Sequence, residues 1–190
     1  MYLIRGQHNL KLFKSRHPNV LLSGTIGNFD GLHLGHQAIL EKIKNNAQKY
    51  NAKTIVFFTE PHAAEYFSKV RDKNQIPPPR ICPWREKFQL LKKSKIDFAC
   101  FLKFNSKLRT MSPDDFISQI LDSINLVSFT VGDDFRFGAG RKGDTDFLKN
   151  WGEKKGILVE NTETITLDGQ RVSSTRTVSY THLTLPTNLS

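Results

Sequence analysis

The sequence has few cysteines and no long apolar run, and these absences narrow the classes of protein to which it can belong. Its two cysteines, Cys82 and Cys100, show no CxxC spacing and have no cluster of histidines around them. That pattern argues against a disulfide scaffold or a structural zinc site. No apolar run approaches the roughly 20 residues of a membrane-spanning helix, and the N-terminal segment lacks the features of a secretory signal. We therefore expect a cytoplasmic protein with no membrane partner.

The net charge is +10, yet the sequence contains no long basic run. An excess of this kind occurs in proteins that bind nucleic acids, anionic membranes or small phosphorylated substrates, and also in proteins with a lysine-rich solvated surface. The basic residues are scattered, and neither an RNP-like aromatic motif nor a helix-turn-helix pattern is present. The charge alone does not decide between these classes, but nothing in its pattern indicates a nucleic-acid partner.

Short apolar runs alternate with amphipathic stretches along most of the chain, which is typical of a parallel β-sheet with crossover helices. The pattern predicts strands at residues 20–26, 53–59, 97–104, 127–132 and 157–160, and helices at residues 35–50, 83–93, from Ser112 onwards and 144–155. The predicted fold class is α/β, with a doubly wound, Rossmann-like parallel sheet. Ligands bind outside the carboxyl ends of the strands in such folds, so the loops that follow the strands are the candidate site.

The segment from Glu60 to about Pro83 is predicted to be irregular. It contains the consecutive prolines Pro77, Pro78 and Pro79. Plain connections are rarely this long, so we expect the segment to form a flap or lid.

The first loop of the candidate site, GNFDGLHLGH at residues 27–36, separates a predicted strand from a predicted helix. His33 and His36 stand three residues apart at the start of that helix, where backbone N–H groups and the helix dipole favour a phosphate. Two imidazoles can donate hydrogen bonds there to the oxygens of a phosphorus centre as negative charge builds up on them. Two alternatives are a metal-binding pair, although no third ligand stands close in sequence, and two surface histidines without a function.

The second loop, VGDDFRFGAGRKGD at residues 131–144, combines glycines, charges and aromatic residues. Phe135 and Phe137 are expected to be exposed, and they could hold a flat ring system. Three basic residues of the loop could meet phosphates: Arg136, Arg141 and Lys142. The alternative is a glycine-rich surface loop whose two phenylalanines are packed into the core.

The third loop, RVSSTR at residues 171–176, follows a predicted turn at Asp168–Gly169. Adjacent hydroxyl groups between Arg171 and Arg176 would form a second anion site at a helix start. An ordinary helix cap is the alternative.

Together these segments resemble the FMN adenylyltransferase (FAD synthetase) domain of the bifunctional bacterial riboflavin kinase/FAD synthetase family. GNFDGLHLGH is similar to this family's form of the HxGH signature of small nucleotidyltransferases, and RVSSTR to its ISSTxxR signature. FTEPHAAEYF at residues 58–67 and VGDDFRFGAGRKGD are similar to its flavin-side segments. HxGH alone is shared with other adenylyltransferases, with cytidylyltransferases and with class I tRNA synthetases, whereas NFDG combined with DDFRFG is specific. The resemblance extends from Leu3 to about Arg176.

The resemblance implies a transfer of AMP from ATP, bound with Mg²⁺, to FMN, which gives FAD and pyrophosphate. It implies that His33 and His36 contact the ATP phosphates and stabilise the transition state. It also implies ATP-binding residues, which are Asn28, Gly35, Asp134, Arg171, Ser174 and Thr175, and FMN-binding residues, which are Pro61 and Phe137. Magnesium would bridge phosphate oxygens more than protein carboxylates.

The last residues depart from the family pattern. The signature should end in an arginine two residues after Arg176, where this chain has Val178, and residues 178–190 contain no Asp, Glu, Lys or Arg. That string also looks like a translated sequencing-library adapter. We therefore expect residues 1–177 to form the FMN adenylyltransferase domain and residues 178–190 to be a non-native tail. The riboflavin kinase domain, the natural partner that normally follows, is expected to be absent.

Two other functions are compatible with parts of this pattern. A sister nucleotidyltransferase with another phosphorylated acceptor, such as a pantetheine phosphate, would keep HxGH but would not need the aromatic loop. A basic nucleic-acid-binding module would bind DNA or RNA with an affinity that falls steeply with salt, and would not depend on His33 or His36.

Overall fold

The computed structural model describes residues 1–71, 83–162, 166–167 and 170–171, which alternate between strands and helices. The strands are β1 (Tyr2–Arg5), β2 (Leu22–Ile26), β3 (Lys53–Glu60), β4 (Phe98–Lys103), β5 (Leu126–Gly132), β6 (Leu158–Thr162), β7 (Thr166–Leu167) and β8 (Gln170–Arg171). The helices are α1 (Asn9–Arg16), α2 (Leu34–Lys49), α3 (Ala63–Arg71), α4 (Trp84–Lys93), α5 (Ser106–Thr110), α6 (Pro113–Phe116) and α7 (Thr145–Lys155), and a π-helical turn (Ile117–Leu121) continues α6.

Six strands form one parallel sheet in the order β1-β4-β3-β2-β5-β6. The predicted doubly wound parallel sheet is therefore confirmed. From β2 the chain first adds β3 and β4 on one side and later adds β5 and β6 on the other. The strand order thus reverses between β2 and β5, and in such sheets the ligand crevice lies outside the carboxyl ends of the two strands at that point.

Helices cover both faces of the sheet because the central strands are apolar on both sides. Along β3, Val56 and Phe58 belong to one buried cluster, together with Leu40 of α2 and Leu91 of α4. The alternate residues Ile55 and Phe57 belong to a second cluster, with side chains from α1, α6 and α7. This two-residue alternation between faces is the geometry of an extended strand. The arrangement places α2 and α4 on one face, and α1, α6 and α7 on the other.

The five predicted strands and four predicted helices are all present, with ends that differ by about two residues from the prediction. Ser112, where a helix was predicted to begin, caps α6, since its Oγ accepts a hydrogen bond from the Asp115 N–H at 3.0 Å. The pattern missed β1 and α1. β1 is a short edge strand, and its Tyr2 is 52% exposed, so the strand lacks the continuous apolar run of a central strand.

The prediction of an irregular segment from Glu60 to Pro83 is wrong for its first part. β3 extends to Glu60, and α3 follows almost immediately. The helix was missed because Glu65 and Ser68 occupy buried positions in it, which breaks the apolar periodicity. Residues 72–82, which include the three consecutive prolines and Cys82, lie outside the described residues, as does any lid that they would form.

Gly152 allows α7 to lie close to the chain that leads into β6. A Cβ atom at this position would be 2.6 Å from the carbonyl oxygen of Ile157 and 2.5 Å from a methyl carbon of Val159. Both distances are too short for real contacts, and the first involves backbone that cannot move aside without bending the chain.

We predict that Gly152→Ala destabilises the fold by about 1–3 kcal/mol, because overpacking outweighs the roughly 1 kcal/mol by which alanine is the better helix former. Chemical denaturation followed by circular dichroism measures the change. Asn150→Ala, at an exposed position of the same helix, is the matched control and should stabilise slightly. A Gly152→Ala variant more stable than the parent would contradict the proposed close approach.

Candidate active site

The loops that follow β2 and β5 lie side by side, because these two strands pair at the point where the strand order reverses. The β2 loop leads directly into α2, and the β5 loop leads through a short turn into α7. The two segments singled out by their glycines, histidines and phenylalanines therefore border one crevice.

Two apolar side chains fix the shape of the β2 loop. Phe29 and Leu32 have φ angles of 47° and 41°, in the left-handed region that costs an ordinary residue roughly 1–2 kcal/mol. Both side chains are buried, at 0% and 8% exposure, and their burial offsets this cost. The loop is thus anchored at two points on the face of the sheet that α2 and α4 cover. The next residue, His33, is held at the N-terminus of α2.

His33 and His36 form a stacked pair at this helix end. Their ring centroids are 3.7 Å apart with an interplanar angle of 23°. Phe29 also packs against the pair, with its ring centroid 4.9 Å from that of His36. The prediction that both histidines lie at or near the first turn of this helix is confirmed, since His33 is its N-cap and His36 lies in its first turn. They lie at the positive end of a 16-residue helix, which favours a negatively charged ligand.

Burial, with a smaller effect from the positive charges of His33 and Lys87, lowers the pKa of His36 to about 3 against the opposing effect of Asp30. His36 is therefore a neutral imidazole at physiological pH. Within the described part of the chain, its buried Nδ1 atom has no hydrogen-bonding partner. A neutral imidazole donates through one nitrogen only. It is suited to stabilising an anionic oxygen by a hydrogen bond, not to transferring a proton from a charged ring.

The phenylalanines of the β5 loop differ from the expectation that both are exposed. Phe137 is only 6% exposed, and its ring packs against Phe116 at 5.1 Å and Phe147 at 5.9 Å. Phe135 is half-buried and stacks on Phe137 at 5.7 Å. For Phe137 the expected exposure is wrong, because the loop folds back over α6. Gly138 permits this close approach, since a Cβ there would lie 2.8 Å from Pro113.

The other predicted site residues differ in exposure, and some of them are not described by the structure. Asn28 and Asp134 are exposed at the crevice, while Gly35 and Pro61 are half-buried. Pro61 follows a cis peptide bond at the end of β3. The backbone of Arg171 in β8 pairs with that of Thr166 in β7, whereas the predicted turn at Asp168–Gly169 lies outside the described residues. Ser174, Thr175 and the tail from Val178 lie outside the described residues.

Lys87 is a residue near the site that the sequence pattern did not reveal. It is 3% exposed on α4, and its Nζ lies 5.2 Å from the centre of the Phe58 ring. Its charge also reaches His36. The sequence offered one indication that Lys87 is buried: it stands three residues after Trp84 and four before Leu91, on the apolar face of the helix.

No cluster of three or more His, Cys, Asp or Glu side chains that could hold a metal ion occurs among the described residues. In the same residues, no helix is long and apolar enough to cross a membrane. Cys100 is buried, and burial raises the pKa of its thiol, so this cysteine remains protonated and unreactive.

Comparison with known protein families matches residues 15–176 to the FAD synthetase family. This chain belongs to that family. Similar curated proteins are the bifunctional riboflavin kinase/FMN adenylyltransferases of Pseudomonas fluorescens, 38% identical over 177 residues, and Escherichia coli K12, 39% identical over 176 residues. The alignments cover 93% and 92% of this chain but 53% of each relative. The chain therefore spans about half the length of these curated relatives.

Solved structures support the fold of this FAD synthetase family member. A macrolide-efflux protein from Streptococcus pneumoniae superimposes with a TM-score of 0.73 at 21% identity, covering 92% of this chain and 55% of that chain. A pantoate-β-alanine ligase from Francisella tularensis superimposes with a TM-score of 0.59 at 12% identity, covering 94% and 73%. At these identities the likeness is one of fold alone.

We predict that His36 makes the stability of the protein depend on pH. Its folded-state pKa of about 3 is below the ordinary value of 6.5, so the unfolded state binds the proton more readily. Stability contributed by the neutral ring is present above about pH 6.5 and is lost as the pH falls towards 3. Between pH 7 and pH 5 the loss should be about 2 kcal/mol.

Urea denaturation at several pH values measures this loss. His36→Gln should flatten the dependence, because glutamine has no proton to gain. The matched control is His8→Gln, which removes an exposed histidine from the same chain. If the parent and His36→Gln show equal slopes, the neutral state assigned to His36 is wrong.

Proposed function

We propose that this chain transfers AMP from Mg·ATP to FMN, giving FAD and pyrophosphate. The observation that carries the proposal is the stacked His33–His36 pair at the N-terminus of α2, where the strand order of the sheet reverses. Membership of the FAD synthetase family supports the identity of the acceptor, and the names of the bifunctional relatives support it too.

The reaction needs positioning and charge stabilisation more than covalent chemistry. A phosphate oxygen of FMN attacks the α-phosphorus of ATP in line, forming a new P–O bond. The bond from the α-phosphorus to the oxygen that bridges it to the β-phosphorus breaks, and pyrophosphate leaves with the electron pair. Negative charge builds on the phosphate oxygens during this step, so preorganised N–H donors accelerate it. His33 and His36, together with the helix N-terminus, would supply such donors.

Magnesium enters as part of the substrate. Mg²⁺ usually keeps several water ligands and binds phosphate oxygens rather than a cage of protein carboxylates. The lack of a metal-binding cluster among the described residues is compatible with that mode.

The remaining assigned residues would hold the two substrates. Asn28, Gly35 and Asp134 border the crevice on the nucleotide side, and Arg171, Ser174 and Thr175 would contact phosphates. Pro61, at the end of β3, would lie on the flavin side. Because Phe137 is buried, we propose that it supports the flavin pocket from beneath, with the half-buried Phe135 nearer to the ligand.

Residues 1–177 are proposed to form the domain that carries this activity, in the cytoplasm and without nucleic-acid or membrane partners. Phosphorylation of riboflavin, the other activity named for the relatives, is not part of the proposal. In the relatives a kinase half accompanies the half that this chain resembles, and we propose that half as its natural partner.

In the chain whose tail has been rebuilt as described below, we predict that His33→Ala and His36→Ala each lower kcat for FAD formation by about 10²–10³-fold, the usual effect of removing one donor to a developing oxyanion. Chromatography of reactions with FMN and Mg·ATP measures both FAD and pyrophosphate. His8→Ala is the control and should leave the rate unchanged. Pyrophosphate release that requires a different phosphorylated acceptor would contradict FMN as the substrate, and indifference to both histidines would exclude the mechanism.

We also predict that the chain as printed is weakly active or inactive, because Val178 stands where the family signature has an arginine that would bind phosphate. Replacing residues 177–190 with a family-like helix that carries arginine at position 178 should raise the rate of FAD formation. Val178→Arg alone should recover less, since the surrounding tail is not expected to form that helix. Equal rates for the printed and rebuilt chains would show that the tail is harmless.

A further inference from the structure

Five residues other than glycine have φ angles in the left-handed region among the residues described: Phe29, Leu32, Asn51, Lys95 and Arg141. Side chains with a Cβ atom are strained in this conformation. Such strain persists only where the surrounding structure imposes it, and it is concentrated at functional sites. Each of the five therefore calls for a physical reason.

Four of them have a structural reason. Phe29 and Leu32 are held by their buried side chains. Asn51 and Lys95 each follow the C-cap residue of a helix, Tyr50 of α2 and Ser94 of α4, where a left-handed residue is the usual way to end the helix. The associated hydrogen bonds are present, from the Ala52 N–H to the Ala47 carbonyl oxygen at 2.7 Å and from the Ile96 N–H to the Leu91 carbonyl oxygen at 3.2 Å.

Arg141 has neither reason. Its φ angle is 59° and it follows Gly140, also left-handed at 64°. It ends a single three-residue turn, Ala139–Arg141, and its side chain is exposed. Within the described residues, no hydrogen bond, ion pair or ring contact involves its guanidinium group. The side chain thus does nothing in the free protein to offset the strain of its backbone.

The neighbouring backbone explains why the strain cannot relax. The Ala139 N–H donates to the Met111 carbonyl oxygen at 2.7 Å, and Phe137 and Gly143 exchange two backbone hydrogen bonds of 3.0 Å. The turn between these fixed points requires the left-handed conformation at position 141. Glycine would adopt it freely, and the loop already uses glycine at three nearby positions. The presence of arginine instead of glycine at this position therefore suggests that its side chain has a function.

The other two cations of the loop do not share these properties. Arg136 donates a hydrogen bond to the carbonyl oxygen of Phe135 at 2.9 Å. Lys142 has an ordinary φ angle of −74°, so its backbone carries no strain. Of the three basic residues, only Arg141 combines a strained backbone with an unengaged charge.

We infer that Arg141 binds a substrate phosphate group. A guanidinium group presents paired N–H donors that match two phosphate oxygens. The loop follows the carboxyl end of β5, which pairs with β2, the strand that precedes the loop with the histidine pair. The inference rests on the proposed function, and the phosphate belongs either to ATP or to FMN.

The experiment separates strain from binding by comparing four variants of the chain. Arg141→Gly removes the side chain and the strain, Arg141→Ala removes the side chain but keeps the strain, and Arg141→Lys keeps the charge without the paired donors. Lys154→Met removes an exposed cation of α7, away from the loop, as the matched control. Isothermal titration with FMN alone, and with a non-hydrolysable Mg·ATP analogue alone, identifies which substrate supplies the phosphate. Thermal unfolding without ligand measures the strain.

Arg141→Gly should melt about 2–4 °C above Arg141→Ala, the shift expected in a chain of this size when one left-handed residue is relieved. Both variants should bind one of the two ligands at least tenfold more weakly than the parent, with Arg141→Lys intermediate and Lys154→Met within about twofold. If Arg141→Gly binds FMN and the ATP analogue as tightly as the parent, the inference is overturned and the arginine is a bystander of the turn. It is equally overturned if Lys154→Met weakens binding as much, because the loss would then follow from net charge alone.

If the proposed FMN adenylyltransferase activity itself is wrong, the experiment gives a different result. In that case the parent chain with a rebuilt tail would form no FAD, whatever residue stands at position 141. FAD formation by that parent together with unchanged binding by Arg141→Gly would refute only the role of the arginine.

Discussion

The buried ring of Phe29 is the contact on which the candidate site depends most. The backbone of Phe29 in the β2 loop has a left-handed φ angle, yet its ring is fully buried between α2 and the sheet. Moving the ring out would expose a large apolar surface, so the core holds the loop in a conformation that it would otherwise avoid. The same ring packs against His36. The position of the histidine pair is thereby coupled to the stability of the core.

The environment of the histidine pair also determines its chemistry. A charged imidazole would attract a nucleotide more strongly than a neutral one, but burial and two neighbouring cationic groups oppose the charged form of His36. Attraction of the proposed anionic substrates would then fall to the helix end and to the other cations of the protein. A site divided in this way can hold a hydrogen-bond donor of constant charge where the reaction occurs, while the net charge of +10 acts over longer distances.

Sequence patterns predicted the sheet and the placement of its loops because both depend on local signals. A nearly continuous apolar run at β3 identified a buried parallel strand, and the HxGH spacing placed two histidines at the start of one helix. The patterns did not distinguish an exposed from a buried Phe137, since that depends on how the loop folds over α6. They also missed α3 and Lys87, because a buried polar or charged residue interrupts the periodicity by which a helix face is recognised.

The parallel pairing of β2 with β5 has a consequence for how this protein is made. Leu22 pairs with Leu126, so about a hundred residues must emerge from the ribosome before the centre of the sheet can close. Until then the carboxyl end of β2 lacks one neighbour, and the apolar surface of both strands is open to other chains. Pairings between such distant segments form slowly and expose folding intermediates to aggregation. The crevice at which the strand order reverses is thus among the last parts of the domain to assemble during synthesis.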